Sequence, residues 1–324
     1  MIVRWGLDEL EGVLADIGVQ APLLVTSERF ASLDLPVAAR FAGVRRHAPV
    51  ETVAQAVEAA AVADSLVAVG GGSALDTAKS VSATTGLPLV AVPTTYSGAE
   101  WTRHFGSRDE ERRVKTGGSG TNTVAIVYEP RLTLELPLPE TVGTAMNALA
   151  HCAEALYVDR HNDDADREAL AGAPLIERWL PEVVASPLDL EARTKLLEGA
   201  MHAGAALGLS GLALAHALAQ ALGGRYGLPH GAMNALTLSP ALRFNEPAVP
   251  EAISRFGEAL GTTDPATRAE ELARLGGFQR LRDFGVPEDE LADLAGDVVA
   301  RPGTRANPRP VTVEDAEELL RSIW

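Results

Sequence analysis

Three histidines and one asparagine in the second half of the chain have residue types and spacings that suit chemistry on a carbonyl group. Asn147 and His151 are four residues apart in the run ETVGTAMNALAHCAEALY, so a helix places both on one face. His216 lies in a nearly all-apolar segment, which indicates burial, and His230 follows it by 14 residues. Because imidazole titrates near neutral pH, such histidines can donate a proton or a hydrogen bond to a carbonyl oxygen. We expect these four residues to form one catalytic site.

The same histidines raise the alternative of a metal site. Three imidazoles suit a transition metal such as iron or zinc, and His151, His216 and His230 are then the ligands. The fourth position, however, is Asn147, a neutral amide that binds metal more weakly than a carboxylate. Each histidine taken alone is also more often a buried, hydrogen-bonded core residue. The residue types alone leave both a metal site and a metal-free acid–base site open.

A glycine-rich segment in the first half has the composition of a phosphate-binding turn. Gly70, Gly71, Gly72 and Ser73 follow the apolar run SLVAV and precede a helical segment that contains Asp76. Glycines at such a junction let the backbone approach a pyrophosphate, and the helix start offers free N–H groups. The pattern is not GxGxxG, so a tight turn that merely needs glycine is the alternative.

A second polar loop, Thr94-Thr95-Tyr96-Ser97, follows the next strand-like run, PLVAV. In open α/β sheets, ligands bind beyond the carboxyl ends of the strands. Two such loops favour a dinucleotide site over two unrelated Ser/Thr-rich turns. Lys115, in the polar run RDEERRVKTGG, is a further candidate for a phosphate or ribose contact, although a lone lysine there is usually solvated.

The elements that must position these residues alternate between helix and strand in the first part of the chain. We predict helices over residues 7–17 and 50–62 and strands over residues 21–26, 65–69, 88–92 and 123–128. This alternation predicts an α/β domain with a parallel, doubly covered sheet over residues 1–138. Residues 139–324 are rich in Ala and Leu and are predicted to form a helical domain, with one buried helix over residues 201–222.

Composition restricts the partners. The chain has 324 residues and a net charge of −16, which argues against nucleic acid and means that a bound anion must be held by local donors. A single cysteine, Cys152, excludes an intrachain disulfide and fits a reducing cytoplasm. The N-terminal run does not resemble a signal peptide, and no apolar run suits a membrane span. We expect a cytoplasmic protein that acts on a small molecule.

Together these motifs resemble the iron-containing alcohol dehydrogenase superfamily along most of the chain. In that family the GGGS turn binds the pyrophosphate, and the PTT segment contacts the cofactor near the nicotinamide, with Ser97 and Lys115 close by. The metal ligands of that family are an aspartate and a histidine in the pattern Asp-x3-His, followed by two histidines 14 residues apart. This chain has the three histidines, but Asn147 replaces the aspartate. Asparagine there is typical of the maleylacetate reductase branch, which works without metal, as are the matching runs PTTYSGAEWT, KTG and NPRP.

The resemblance implies a Rossmann-like N-terminal domain, an all-helical C-terminal domain, a cleft between them and a homodimer. It also implies hydride transfer from a nicotinamide, lying beside Thr95 and Tyr96, to an electrophilic carbon. His230 or His216 then stabilises the developing oxyanion or supplies a proton. The asparagine and histidine of the Asn-x3-His pair orient the substrate.

Departures from the maleylacetate reductase branch bear on the substrate and the cofactor. The segments around His216 and after His230 lack the basic and acidic groups that the branch carries there, which favours a less charged enone or ketone. Ser27, followed by Glu28, occupies the position where many NAD-specific members of the family have aspartate. Without the aspartate, the 2′-phosphate of NADPH is not repelled at that position. We therefore expect the protein to accept NADPH alongside NADH. We also expect most of a first strand to be missing at the N-terminus.

Two alternatives to a metal-independent reductase stay open at this point. One is an alcohol dehydrogenase that depends on iron or zinc. The other belongs to a different class: a family member that keeps the scaffold but works as a binding protein or a non-redox catalyst.

Overall fold

The computed structural model describes residues 1–109, 114–120 and 123–324. These residues form two compact units. The first unit contains residues 1–95 and 99–133, and the second contains residues 96–98 and 134–324. The domain boundary predicted after residue 138 stays a prediction.

The first unit is built on a parallel sheet, as predicted. In chain order, its strands are β1 (Ile2–Trp5), β2 (Pro22–Thr26), β3 (Ala39–Phe41), β4 (Ser65–Gly70), β5 (Leu89–Pro93), β6 (His104–Asp109), β7 (Val114–Ser119) and β8 (Thr123–Tyr128). The parallel sheet has six strands in the order β1-β8-β5-β4-β2-β3, while β6 and β7 form a separate antiparallel hairpin. Because the six strands run parallel, the loops that follow β2, β4 and β5 start at one edge.

Three helices, α1 (Leu10–Asp16), α2 (Val50–Ala59) and α3 (Gly72–Thr85), belong to this unit. The strands β2, β4 and β5 are buried along their whole length. Strands covered on both faces carry continuous apolar runs instead of alternating ones, which explains why these three were recognisable in the sequence. A core cluster joins α1 to the sheet through side chains that include Leu10, Val13, Leu24, Val67 and Val90.

The sequence missed the short and exposed strands. The N-terminal run, expected to lack most of a first strand, forms β1, which pairs in parallel with β8 and places Trp5 opposite Tyr128. The edge strands β1 and β3 and the β6–β7 hairpin contain no continuous apolar run. The helix predicted from residue 7 begins with a 3-10 turn over Leu7–Glu9 and ends at Asp16.

The second unit is helical, as predicted. Its helices are α4 (Leu138–Ala155), α5 (Asp163–Ala185), α6 (Leu190–Leu209), α7 (Leu214–Tyr226), α8 (His230–Asn245), α9 (Pro250–Ala259), α10 (Pro265–Arg274), α11 (Leu291–Val299), α12 (Pro302–Arg305) and α13 (Val313–Ser322). Helix α4 is central, because it packs on α5, α6 and α8, and α7 packs on α8.

The prediction of a single helix over residues 201–222 is wrong. Helix α6 ends at Leu209, and α7 begins at Leu214 at an angle of 97° to it. The carboxylate of Glu154, on α4, accepts the backbone N–H groups of Ala213 and His216 and so satisfies donors that every helix start leaves free. An apolar pattern cannot reveal a break that is stabilised by a side chain from a distant helix.

Among the described residues, no single helix is both long enough and apolar enough to span a membrane. Helices α6 and α7 reach that length and apolar content only together, across their 97° bend.

Candidate active site

Helix α4 presents three polar side chains on one buried face. Asn147 and His151 are each 3 % exposed and Glu154 is fully buried. Their spacings of four and three residues place them one above another along the helix. Buried polar groups need partners, so this face fixes the side chains that pack against it.

Glu154 holds His216 in place. One carboxylate oxygen, Oε2, accepts from the His216 ring at Nδ1 (2.7 Å) and from the backbone N–H of Ala213 (2.8 Å). The other oxygen, Oε1, accepts from the backbone N–H of His216 (3.2 Å). The carboxylate therefore fixes both the ring orientation and the first turn of α7, and it places a proton on Nδ1.

Asn147 lies at the centre of the polar contacts. Its Nδ2 donates to the carbonyl oxygen of Ser97 (3.0 Å), which sets the orientation of the amide. Its Oδ1 accepts from Asn234 Nδ2 (2.7 Å) and faces His216 Nε2 at 3.3 Å. Because Oδ1 only accepts hydrogen bonds, this contact is a hydrogen bond when Nε2 carries a proton.

His151 stacks on His216, with ring centroids 4.7 Å apart and planes inclined by 11°. Burial, and then the neighbouring His216 and His230, hold the pKa of His151 well below its ordinary value, so its ring is neutral. Its Nε2 lies 3.4 Å from the Nδ2 of Asn147 and accepts from it, which places the ring proton on Nδ1. That buried Nδ1 has no hydrogen-bond partner among the described residues.

His230 is the first residue of α8 and is exposed. Its ring centroid lies 5.8 Å from that of His216, and its Nε2 lies 3.1 Å from Asn234 Nδ2. The structure thus brings together all four residues predicted from the sequence and adds Asn234, which is one helical turn beyond His230.

This donor set does not fit a metal ion in the observed geometry. The Nε2 atoms of His151 and His216 both face the amide of Asn147, at 3.4 Å from Nδ2 and 3.3 Å from Oδ1. The Oδ1 of Asn147 is already an acceptor for Asn234. Within the described ranges, no group of three or more His, Cys, Asp and Glu side chains is arranged to hold a metal.

The chain segment 96–98 is fixed against the helices of the second unit. Tyr96 is fully buried, and its hydroxyl accepts from Arg193 Nη1 (3.2 Å), itself 1 % exposed. Gly98 has a φ of +69°, and a Cβ there would lie 2.9 Å from the Cα of Gly204. The predicted catalytic role of Tyr96 stays a prediction, and its burial favours a role in holding the Ser97 carbonyl against Asn147.

In the first unit, the two predicted cofactor loops lie in contact. The backbone N–H of Thr94 donates to the carbonyl of Gly70 (3.1 Å). A Cβ added at Gly71 would lie 2.7 Å from Cγ2 of Thr95, so only glycine allows this approach. Helix α3 begins at Gly72, so its free N–H groups start at this junction, as pyrophosphate binding requires.

The remaining cofactor candidates are distributed around this junction. Ser73 and Asp76 lie in the first turns of α3 and are half-buried. Ser27 follows the last residue of β2. Lys115 lies in β7 and pairs with Arg108 through the backbone, while its side chain is outside the described residues.

A buried network that the sequence analysis missed supports the second loop. Lys79, on α3, donates to the carbonyl of Ala99, to Thr102 Oγ1 (2.9 Å) and to the carbonyl of His104 (3.1 Å). Burial lowers the pKa of Lys79 to about 8. Burial also raises the pKa of Glu100, whose carboxylate accepts from the Tyr128 hydroxyl (2.8 Å).

Comparisons with known proteins agree with this architecture. A model of the iron-containing alcohol dehydrogenase family matches residues 4–129, and a model of the C-terminal part of the same family matches residues 141–324. Maleylacetate reductase from Sphingobium indicum is 38 % identical over 319 residues, which cover 95 % of this chain and 90 % of that protein.

Solved structures show the same fold. A putative alcohol dehydrogenase from Ralstonia eutropha JMP134 is 34 % identical, with a TM-score of 0.93 and coverage of 100 % of this chain and 95 % of that one. Maleylacetate reductase from Rhizobium sp. strain MTP-10005 is 30 % identical, with a TM-score of 0.92 and the same coverages of 100 % and 95 %.

Proposed function

The chain belongs to the iron-containing alcohol dehydrogenase family, and from that premise we propose that it reduces a small enone or ketone with NADH or NADPH and without a metal. The oxidoreductase class follows from the family and from its maleylacetate reductase relatives. The cofactor is a nicotinamide dinucleotide, whose pyrophosphate we assign to Gly70, Gly71, Gly72 and Ser73.

One observation carries the chemistry: His216 lies between the Glu154 carboxylate and the Asn147 amide oxygen, with a hydrogen-bond acceptor at each ring nitrogen. Reduction of a carbonyl needs a hydride at carbon and a proton at oxygen. The nicotinamide supplies the hydride, and a histidine of this cluster supplies the proton. His230 is the exposed member, so we assign it the contact with the substrate oxygen.

The remaining polar groups orient the substrate and hold the proton donors. The buried Nδ1 of His151 offers a neutral hydrogen-bond donor. Asn147 and Asn234 join the three histidines, which keeps the donors fixed before the reaction starts. Donors that need no reorganisation stabilise a developing oxyanion more strongly than water does.

We base metal independence on Asn147. An amide oxygen that already accepts a hydrogen bond is a poor fourth ligand for a metal ion. An iron- or zinc-dependent alcohol dehydrogenase is the second candidate, because the three imidazoles are close together.

The substrate we propose carries little negative charge. In the described contacts of His151 and His216, the polar partners are amides, backbone groups and one carboxylate. A dicarboxylate such as maleylacetate needs basic partners, so a neutral enone or ketone fits this cluster better. We also propose that the protein is a homodimer in the cytoplasm. Size-exclusion chromatography with light scattering tests the dimer, and localisation of the tagged protein tests the compartment.

Replacement of His230 tests the assignment of the proton donor. The variant His230→Ala is expected to lose most of kcat and to bind the cofactor normally, since the phosphate loop belongs to the other unit. Turnover is followed by oxidation of NAD(P)H, and cofactor binding by nicotinamide fluorescence. Near-normal kcat would remove His230 from the mechanism.

A further inference from the structure

The end of β2 lies beside the phosphate loop. Strand β2 pairs in parallel with β4, and Thr26 is opposite Val69 in the register. Ser27 is therefore one strand spacing, about 4.8 Å, from the start of the glycine loop at Gly70. In dinucleotide-binding sheets, the end of the strand next to the phosphate loop meets the adenosine ribose and its 2′ substituent.

A short basic loop, defined here as residues 43–47, is attached to this strand end. Gly43 forms an antiparallel bridge with Ser27. The backbone N–H of Val44 donates to the carbonyl oxygen of Thr26 (3.1 Å). The first part of the basic loop is thus fixed at the position where the adenosine ribose is expected.

The other end of the basic loop is tied to the phosphate loop itself. The backbone N–H of His47 donates to Ser73 Oγ (3.1 Å). His47 and Ala48 have φ angles of +63° and +45°, a left-handed conformation that residues other than glycine rarely adopt. Such strain persists only where the surroundings hold it, and here it brings the chain after Arg46 against Ser73.

The basic loop carries two cations, Arg45 and Arg46, that form no ion pair with the described residues. Arg45 and Arg46 are exposed, and Arg45 Nε donates to Thr52 Oγ1 (2.9 Å). Within the described part of the chain, neither guanidinium has a carboxylate at ion-pair distance. Residues 27–48 have a local charge of +2, although the whole chain has a net charge of −16. This local charge comes from four arginines, Arg29, Arg40, Arg45 and Arg46, and two acidic residues, Glu28 and Asp34.

We propose that the basic loop is a binding site for the 2′-phosphate of NADPH, with Arg45 and Arg46 as the residues that recognise it. This inference rests on the proposed use of a nicotinamide cofactor and assigns its phosphorylated form. Arginine suits the role because its guanidinium is permanently charged and binds phosphate oxygens in pairs. Glu28, next to Ser27, is the opposing charge and keeps the preference for NADPH moderate, so that NADH is also used.

Direct binding of 2′,5′-ADP and of 5′-AMP, measured by calorimetry, tests the site without turnover. The wild-type protein is expected to bind 2′,5′-ADP at least tenfold more tightly than 5′-AMP. The double variant Arg45→Ala, Arg46→Ala is expected to lose this difference while its affinity for 5′-AMP changes less than twofold. The matched control is Arg40→Ala, an exposed arginine of β3 that donates to the carbonyl of Ala31 (2.9 Å) and is expected to keep the difference.

Steady-state kinetics provide the second readout. The ratio of kcat/KM for NADPH to that for NADH is expected to fall at least tenfold in the double variant through KM for NADPH, with kcat unchanged. Equal affinity of the wild-type protein for the two nucleotides, or a double variant that retains the difference, would overturn the proposal. Binding of 2′,5′-ADP that depends on the two arginines, without oxidation of either cofactor, would support this site and refute the proposed reductase.

Discussion

The buried carboxylate of Glu154 gives the sharpest test of how the histidine cluster works. The substitution Glu154→Gln keeps the side-chain shape and removes the charge. Oε2 accepts from Ala213 N and His216 Nδ1, and Oε1 accepts from His216 N, at 2.7–3.2 Å. Glutamine has one acceptor oxygen, so its NH2 group faces at least one of these donors. Hydrogen bonds to a charged group contribute about 1.5–3 kcal/mol each, so we expect the free energy of unfolding to fall by about 2–3 kcal/mol.

The same substitution is expected to reduce catalysis more than stability. Without the carboxylate, Nδ1 of His216 loses its charged acceptor, so this ring is no longer fixed beside His230, the assigned proton donor. Loss of general acid–base catalysis typically costs about 10²-fold or more in rate, so kcat is expected to fall by that factor while cofactor binding stays within twofold. Oxidation of NAD(P)H gives kcat, and chemical denaturation gives the loss of stability.

A second glutamate–histidine pair provides the control. Glu168 on α5 contacts His202 on α6 at 2.7 Å, but the two side chains are 36 % and 25 % exposed. We expect Glu168→Gln to leave kcat within twofold of wild type, because solvent replaces the lost contact. A folded Glu154→Gln protein with kcat close to that of wild type would refute the reasoning.

Three other substitutions test different parts of the account. Asn147→Asp introduces a carboxylate beside the three histidines and is expected to raise the content of bound iron or zinc, measured by elemental analysis. Equal metal content in the variant and the wild type would contradict our interpretation of Asn147. Gly71→Ala places a Cβ 2.7 Å from Cγ2 of Thr95. We expect the variant to bind the cofactor at least tenfold more weakly, as measured by fluorescence titration. Unchanged affinity would mean that the contact between the two loops does not form the cofactor site. Lys79 has a pKa of about 8 in the folded protein, below its ordinary value of 10.5. Between these two pH values the unfolded chain binds more protons than the folded protein does. The contribution of Lys79 to the free energy of unfolding therefore rises with pH in this range. Denaturation from pH 7.5 to 10.5 is therefore expected to give a steeper rise for wild type than for Lys79→Met, and parallel curves would exclude this titration.

The sequence predicted the parts of the fold that are buried in a regular way. The strands β2, β4, β5 and β8 and the helical second half were recognisable because their apolar patterns follow directly from burial. The edge strand β1 and the break between α6 and α7 were missed. Their cause lies in partners distant in the chain, namely β8 for β1 and Glu154 for the start of α7.

The candidate site also contains residues that the sequence predicted and contacts that it did not. Asn147, His151, His216 and His230 were found because the residue types and their spacing suit the chemistry. Glu154 shares a helix face with Asn147 and His151, so its spacing was a usable signal that was overlooked. The contact of the basic loop with Ser73 was not predictable, because it depends on the left-handed backbone after residue 46.

Metal-independent reduction with a nicotinamide cofactor is the central claim, and one assay tests it most directly. Oxidation of NADH and NADPH is followed at the nicotinamide absorbance with maleylacetate and with a panel of neutral enones and ketones, with and without EDTA, on protein of measured metal content. We predict turnover of at least one neutral carbonyl compound at a rate that EDTA does not change, on protein with far less than one metal ion per chain. Turnover that EDTA abolishes and iron or zinc restores, or no turnover of any carbonyl compound, would contradict the account.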